Sequence, residues 1–419
     1  MRVTAALSRL LRLPGIWVRQ VRFDSGTVVV RVALRRRRLV CPECAYTTPF
    51  RYDRRPVRSN WRHLDLGAWK VEIHAQLRRL ACPAHGVRVE AVPFAQAGSR
   101  FSRDFEDLAA WLATTMDKSA LCRLMRIDWD TVGRIVTRVS AEKLDPHRLD
   151  GLSAAGVDEV SWKKRHNYLT LVSDHRPHPR IVWGAAGRDT ATLDRFFAEL
   201  GPERSGQLEA VSMDMSAGYE RSVRKEGHAP QAVICFDPYH VVALGTKALD
   251  AVRRHVWNEL RRLPDQAAAR RFKGARWCLL KNPTDLNDEQ ARTLRRIRRR
   301  GGELWRAYSL KEALRAIFAG DLGTDEVTLL LRRFCSRAQR SGLRPFVGLA
   351  KTLRTHAAGI EAAVRLRINN AQHEGLNRRV RLIVSRAYGF HSAEATLALV
   401  MLALGPITHV LPHERMAAA

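Results

Sequence analysis

No stretch of this chain offers the roughly 18 continuous apolar residues that a bilayer-spanning helix needs; the longest apolar run, residues 393–407, is short and interrupted. No membrane association is expected. Internal repeats are absent and low complexity is confined to short arginine runs, which sets solenoid architectures aside. Cysteine is scarce and odd in number, seven in 419 residues, with three near the N-terminus. That pattern argues against a disulfide framework and for a reduced compartment with a metal site. The first twenty residues resemble a leader peptide only faintly: Arg9, Arg12, Arg19 and Arg22 break the apolar stretch and no small-residue cleavage site follows. A cytoplasmic, nucleoid-associated protein is therefore expected. Negative charge is in short supply, 42 Asp plus Glu against 72 Lys plus Arg.

The resulting net charge of +30, with a pI near 11.0, requires a polyanionic partner. Arginine dominates the basic set, and its planar fork matches phosphate oxygens and guanine edges, so nucleic acid is the favoured partner. At 46% hydrophobic and 27% charged the composition is ordinary globular usage. The length predicts roughly two or three domains.

Patterning divides the chain further. Residues 1–100 carry short alternating runs such as 26–40 and 69–82, which read as strands with one wet face. Residues 101–145 hold three short amphipathic segments, 105–113, 118–125 and 130–141, separated at Met116-Asp117 and Arg126-Ile127-Asp128. From Val157 the order is strand, strand, strand, helix, strand, helix, strand, an α/β layer. Residues 241–367 are nearly all helical by periodicity, with basic runs such as 292–300, and a closing helical segment runs from Asn369 to Leu404.

Three constellations carry chemistry. Cys41 and Cys44, then Cys82 and His85, are two chelating pairs that together close a tetrahedron around a structural zinc ion, with two strands expected between them to bring them together. The segment 101–145 reads as a helix-turn-helix: Asp130 is placed as the cap of the third helix, and Thr131, Arg134 and Arg138 share one face able to enter a major groove. Asp158 lies inside an apolar strand pattern and Asp214 at the end of another, where a charge is costly unless paired or metal-bound. Two such acids on neighbouring strands suit magnesium through hard oxygen ligands, and two ions serve phosphodiester chemistry. Strand alternation puts the rival Glu159 on the opposite face from Asp158.

The run from Asn370 through Glu374 to Ile383, continuing to Ala387-Tyr388-Gly389-Phe390, resembles the closing motif of the ISL3 family of insertion-sequence transposases. So do Val157-Asp158-Glu159, Met213-Asp214-Met215, the block from Phe236 to Val241, the block from Arg276 to Pro283, and the N-terminal cysteine pairs, from about Cys41 to Ile407. The resemblance implies a DDE-type enzyme with an RNase H-like mixed-sheet core whose acids are Asp158, Asp214 and Glu374, holding Mg²⁺ (two ions, or Mn²⁺). It implies a supporting role for Asp237 and His240, and a large all-helical insertion before Glu374. The expected domains are then a zinc-binding β-rich module (1–100), a helix-turn-helix (101–145), the catalytic core (150–240 and 369–407) and the helical insertion (241–368). His85 departs from the family's pattern, where many relatives use cysteine. Arg378, Arg379 and Arg381 follow Glu374 by about a turn and would set DNA phosphates beside the metals. Trp277 and Lys281 are open between packing and DNA contact, Lys281 being a candidate phosphate contact.

The function expected from all of this is transposition: binding of terminal inverted repeats, Mg²⁺-dependent hydrolysis and strand transfer into target DNA, by a dimer or larger assembly. Two alternatives stand beside it. One is a zinc and helix-turn-helix regulator with a degenerate core, which would bind without cutting. The other is a nuclease or resolvase that would cut without joining.

Overall fold

The computed structural model describes residues 2–417 except 45, 164–166, 176–178, 263–271, 273, 321, 369–370 and 387–391, and no side chain at 371–374, 416 and 417. The chain forms two compact units. The first gathers Met1–Leu144, Ser385–Ala403 and Ile407–Ala419; the second gathers Asp145–Val384 and Leu404–Pro406. The expected zinc module and helix-turn-helix thus lie together in the first unit, and the closing segment 369–407 is divided between the two.

In the first unit, helix α1 (Val3–Leu11) precedes strands β1 (Ile16–Asp24), β2 (Thr27–Leu34), β3 (Leu39–Val40), β4 (Thr47–Thr48), β5 (Asp53–Arg54), β6 (Ser59–Leu66), β7 (Trp69–Ala75), β8 (Arg78–Cys82) and β9 (Gly86–Val89). The main sheet has the order β1-β2-β7-β6, with β2 and β7 parallel at its centre and antiparallel partners outside. Val28, Val30 and Val32 alternate inward with Val71, Ile73 and Ala75, and Leu7 and Leu11 of α1 join the same core. The leader-like N-terminus is therefore an integral part of the fold. Ser25 and Gly26 both take positive φ, 38° and 81°, as a two-residue hairpin turn between β1 and β2 requires.

Helices α2 (Arg103–Thr115), α3 (Lys118–Met125) and α4 (Trp129–Lys143) follow. Each is capped by a side chain: Ser102 accepts from Phe105 N–H, Asp117 from Ala120 N–H, and Asp128 from Thr131 N–H. The cap of α4 is thus Asp128, not Asp130, which sits in the first turn as a dipole-favoured acid. Phe105, Leu121, Ile135, Val136 and Val139 are fully buried.

The second unit opens with β10 (Ala154–Lys163), β11 (Asn167–Asp174) and β12 (Arg180–Ala186). Then come α5 (Thr190–Leu200), a one-turn α6 (Pro202–Ser205), β13 (Ala210–Met213), α7 (Ala217–Arg224), β14 (Val233–Phe236) and the long α8 (Pro238–Arg262). The sheet is mixed, in the order β12-β11-β10-β13-β14, antiparallel across the first three strands and parallel across the last three. β13 is buried at every position, as a strand covered on both faces must be. One face, with Ala155, Val157, Val211, Met213 and Phe236, packs with Phe196 and Tyr219 of α5 and α7. The other carries Ala210 and Cys235 against Ala362 and Ala363 of the Ala357–Arg365 helix. That helix approaches β14 at Gly359, where a Cβ would stand 2.4 Å from the Phe236 ring, so only glycine fits. Between β14 and residue 365 every described element is helical. No helix among the described residues is long and apolar enough to cross a membrane.

Candidate DNA-processing site

Residue register builds the acidic centre. β10 pairs in parallel with β13 at Gly156↔Ser212, and β13 with β14 at Ser212↔Cys235. Continuing that register by two residues aligns Asp158, inside β10, with Asp214 and Asp237, which directly follow β13 and β14. Glu159 pairs with Thr170, whose hydroxyl lies 2.8 Å from that of Tyr219, so it belongs to the opposite, α7-covered face. The sequence expectation for these two acids is what the register shows.

Asp158 accepts from its neighbour's Glu159 N–H at 2.6 Å and from Asn377 Nδ2. Asn377 is buried on the Ala371–Arg386 helix, so that helix meets the sheet on the Asp158 face. Asp214 Oδ1 is buried with no hydrogen-bond partner. Burial pushes the Asp214 carboxyl above its ordinary value, the His240 imidazole opposes, and the Asp158 charge adds to the rise. Glu159 is raised by burial and then by Asp214, with Arg188 countering from 4.0 Å. Asp237 is buried at the start of α8, where Oδ1 accepts from Tyr239 N–H at 3.1 Å and Oδ2 stands 3.9 Å from His240 Nε2. Carboxylates crowded in this way, with Asp214 Oδ1 and Glu159 Oε2 both buried and without a hydrogen-bond partner, form an environment that favours bound cations.

Glu374 lies on the Ala371–Arg386 helix, with its side chain outside the described residues. Arg378, Arg379 and Arg381 are exposed further along, while Leu376, Val380 and Ile383 are buried. Sequence inspection missed Asn377, although its position three residues after Glu374, one helical turn on, was a signal available to it. Lys281 Nζ donates to Gln290 Oε1 at 3.4 Å, tying it to the capping box of the next helix, and Trp277 is 54% exposed.

The zinc-type ligands are drawn together by two hairpin turns. Cys41 and Cys44 sit in the β3–β4 turn, and Cys82 and His85 at the β8–β9 turn, where Gly86 takes φ +69°. Five strands, β4 to β8, run from Cys44 to Cys82 instead of the two expected, because the main sheet is completed within that gap. Cys41 Sγ lies 3.7 Å from His85 Nδ1, Cys82 Sγ 3.5 Å from the same atom, and Cys44 Sγ 3.6 Å from Cys82 Sγ. A tetrahedron with Zn–S of about 2.3 Å and Zn–N of about 2.0 Å separates its ligand atoms by roughly 3.5–3.8 Å, so the donor set fits zinc. Glu43 stands 3.8 Å from the free His85 Nε2, a partner that would hold the ring as a ligand. Among the described residues this is the one group of three or more His, Cys, Asp or Glu donors drawn within 4.8 Å.

The three expected reading groups of α4 are placed differently from one another. Thr131 is buried; Arg138 is paired at 2.6 Å with Glu106, itself 1% exposed; Arg134 is exposed. Arg134 and Thr137 line a groove of about 550 Å³ along α4.

Comparison with known proteins agrees with this layout. Residues 155–400 match a family described as transposase, and residues 90–140 match the helix-turn-helix domain of transposase family ISL3. The chain is 40% identical to the transposase for insertion sequence element IS1557 of Mycobacterium tuberculosis, covering 93% of this chain and 91% of that protein. It is 29% identical to the transposase for insertion sequence element IS1001 of Bordetella parapertussis, over 80% and 81% of the two chains. With its acids set across a mixed sheet and its helix-turn-helix in the first unit, the chain belongs to the ISL3 family of transposases.

Proposed function

We propose that this transposase binds the terminal inverted repeats of its element, hydrolyses a phosphodiester at each end and joins the freed 3′ hydroxyl to target DNA, using Asp158, Asp214 and Glu374 on an RNase H-like core. The observation that carries the proposal is the alignment of Asp158, inside β10, with Asp214 and Asp237 just past the ends of β13 and β14, with an Asp214 oxygen buried and unmatched. Hard carboxylate oxygens and charge crowding suit Mg²⁺ or Mn²⁺. When bound, such cations supply Lewis acidity to the phosphodiester and lower the pKa of an attacking water or hydroxyl.

The protein's own contribution is positional. Asn377 holds Asp158 by its outer oxygen, and the buried Asp237 and neighbouring His240 fix the start of α8 beside Asp214. The Ala371–Arg386 helix meets the sheet at Asp158 and carries Glu374 one turn before Asn377, which supports Glu374 as the third ligand. Exposed Arg378, Arg379 and Arg381 continue that helix as phosphate contacts. Zinc held by Cys41, Cys44, Cys82 and His85 is structural, because four protein ligands leave no open position. Arg134 on α4 is the exposed reading group of the helix-turn-helix. Since two ends are joined, a dimer or larger assembly performs the reaction.

Purified Asp214→Ala protein is expected to bind terminal-repeat duplexes as the parent does while losing Mg²⁺-dependent cleavage. Cleavage at the parent rate would remove the triad assignment. Strand transfer of a pre-cleaved end by the parent protein separates transposition from simple nuclease action.

A further inference from the structure

The helix Asp288–Arg300 carries six arginines, at 292, 295, 296, 298, 299 and 300, every one of them exposed. Arg292, Arg295, Arg296 and Arg299 follow the i, i+3, i+4, i+7 spacing of a single helix face and span about 10 Å along it. On the other side Leu294 and Ile297 pack against the apolar core of the second unit, which fixes the arginine face outward. The helix is firmly started by a capping box between Asn287 and Gln290 and closed by Gly301 at φ +68°.

What sets this face apart is its lack of counter-charge. Elsewhere in the helical region arginines pair with acids one turn away: Arg253 with Asp250, Arg262 with Glu259, Arg315 with Glu312. Among the described residues none of the six arginines makes an ion pair. Arg296 donates to Thr293 Oγ1 at 3.0 Å and Arg298 lies over the Trp305 ring, both neutral partners. Asp288 and Glu289 are confined to the first turn, where they serve the helix dipole. Like charges at i, i+3 and i, i+4 oppose helix formation, so the stripe is a local cost that a polyanion would relieve. Arginines near the last turn favour the dipole, yet that account covers Arg298, Arg299 and Arg300 and leaves Arg292, Arg295 and Arg296 without a role.

We propose that the Arg292, Arg295, Arg296 and Arg299 face is a second DNA-docking surface, separate from the helix-turn-helix, that engages the phosphate backbone of duplex DNA. Each arginine is assigned a phosphate contact, which contributes affinity and position. The proposal is independent of the carboxylate assignment, because binding is read without added divalent cation.

The test uses the full chain with R292Q/R295Q/R296Q/R299Q, titrated by fluorescence anisotropy against a duplex bearing the element's terminal sequence and an unrelated duplex, over a range of salt. The slope of log K against log salt is expected to shrink by about 3 to 4, since each phosphate contact contributes about 0.9. A fall on both duplexes assigns the surface to flanking or target DNA; a fall on the terminal duplex alone assigns it to the element's end. The corresponding lysine variant retains the parent slope. Should the quadruple variant fail to fold, R292Q/R295Q and R296Q/R299Q each carry a loss of about 2. Slopes equal to the parent's on both duplexes, in folded protein, overturn the proposal.

Discussion

Asp158 and Asp214 stand 56 positions apart in sequence and are brought near one another because β10 and the strand that leads into Asp214 pair in parallel. Burial raises the Asp214 carboxyl above its ordinary value, and the nearby Asp158 charge adds to the rise. Asn377 meets this difficulty with an amide N–H on the outer oxygen of Asp158. Removing it leaves the carboxylate free to rotate away from a cation. Asn377→Ala is therefore expected to need more Mg²⁺ for half-maximal cleavage and to lose about 10–100-fold in activity at limiting metal. A magnesium titration identical to the parent's would show that Asn377 only packs. Both aspartates could be picked out in sequence, as charges in apolar strand patterns. Asn377 offered only its place one helical turn after Glu374, because an asparagine in a polar helix start carries no visible cost until its partner is known.

Helices and strands in the first unit are joined by polar contacts at their ends. His63 on β6 shares a hydrogen bond of 2.7 Å with Ser102, which also caps α2, so one imidazole links the sheet to the first helix of the helix-turn-helix. Burial pushes His63 down from 6.5 to about 4, with Arg62 adding to the shift. A group depressed in the fold stays neutral there while the unfolded chain takes up a proton. Stability is thus complete above pH 6.5 and is lost as pH falls toward 4, by roughly 2 kcal/mol at pH 5. His63→Gln is expected to lose correspondingly less of its melting temperature between pH 7.5 and 5; equal losses in both proteins would refute this linkage.

The same scale explains α4. Its helical span, its turn and the spacing that sets Thr131, Arg134 and Arg138 on one face were legible from periodicity. Which residues of that face are free was not, because Arg138 is held by a carboxylate 32 positions away and Thr131 is buried by its neighbours.

For the whole molecule, the division into two compact units places both cysteine pairs and the helix-turn-helix in one of them. Four ligand atoms already set at zinc spacing, two of them on buried cysteines, would be left as uncompensated donors without the ion. Metal binding of this type contributes on the order of 10 kcal/mol to folding. Stripping zinc with a strong chelator is expected to shift or abolish one calorimetric transition of the full chain and leave another in place. A trace unchanged by chelation, in protein shown to have lost its zinc, would contradict a structural role for the site.

Composition and spacing alone established that the chain binds a polyanion, that two chelating pairs and a trihelical segment precede an α/β layer, and that two aspartates sit where charge is expensive. These are local properties, carried by residue type and by periods of two and 3.6 residues, so they survive without coordinates. Tertiary structure decided which strand neighbours which, hence that Asp237 joins the row of acids, that a late helix delivers Asn377 to Asp158, and that Arg138 is tied down while the Arg292 face stands open. Those outcomes depend on pairings between distant segments, where burial and counter-charge are set by whatever the fold brings alongside.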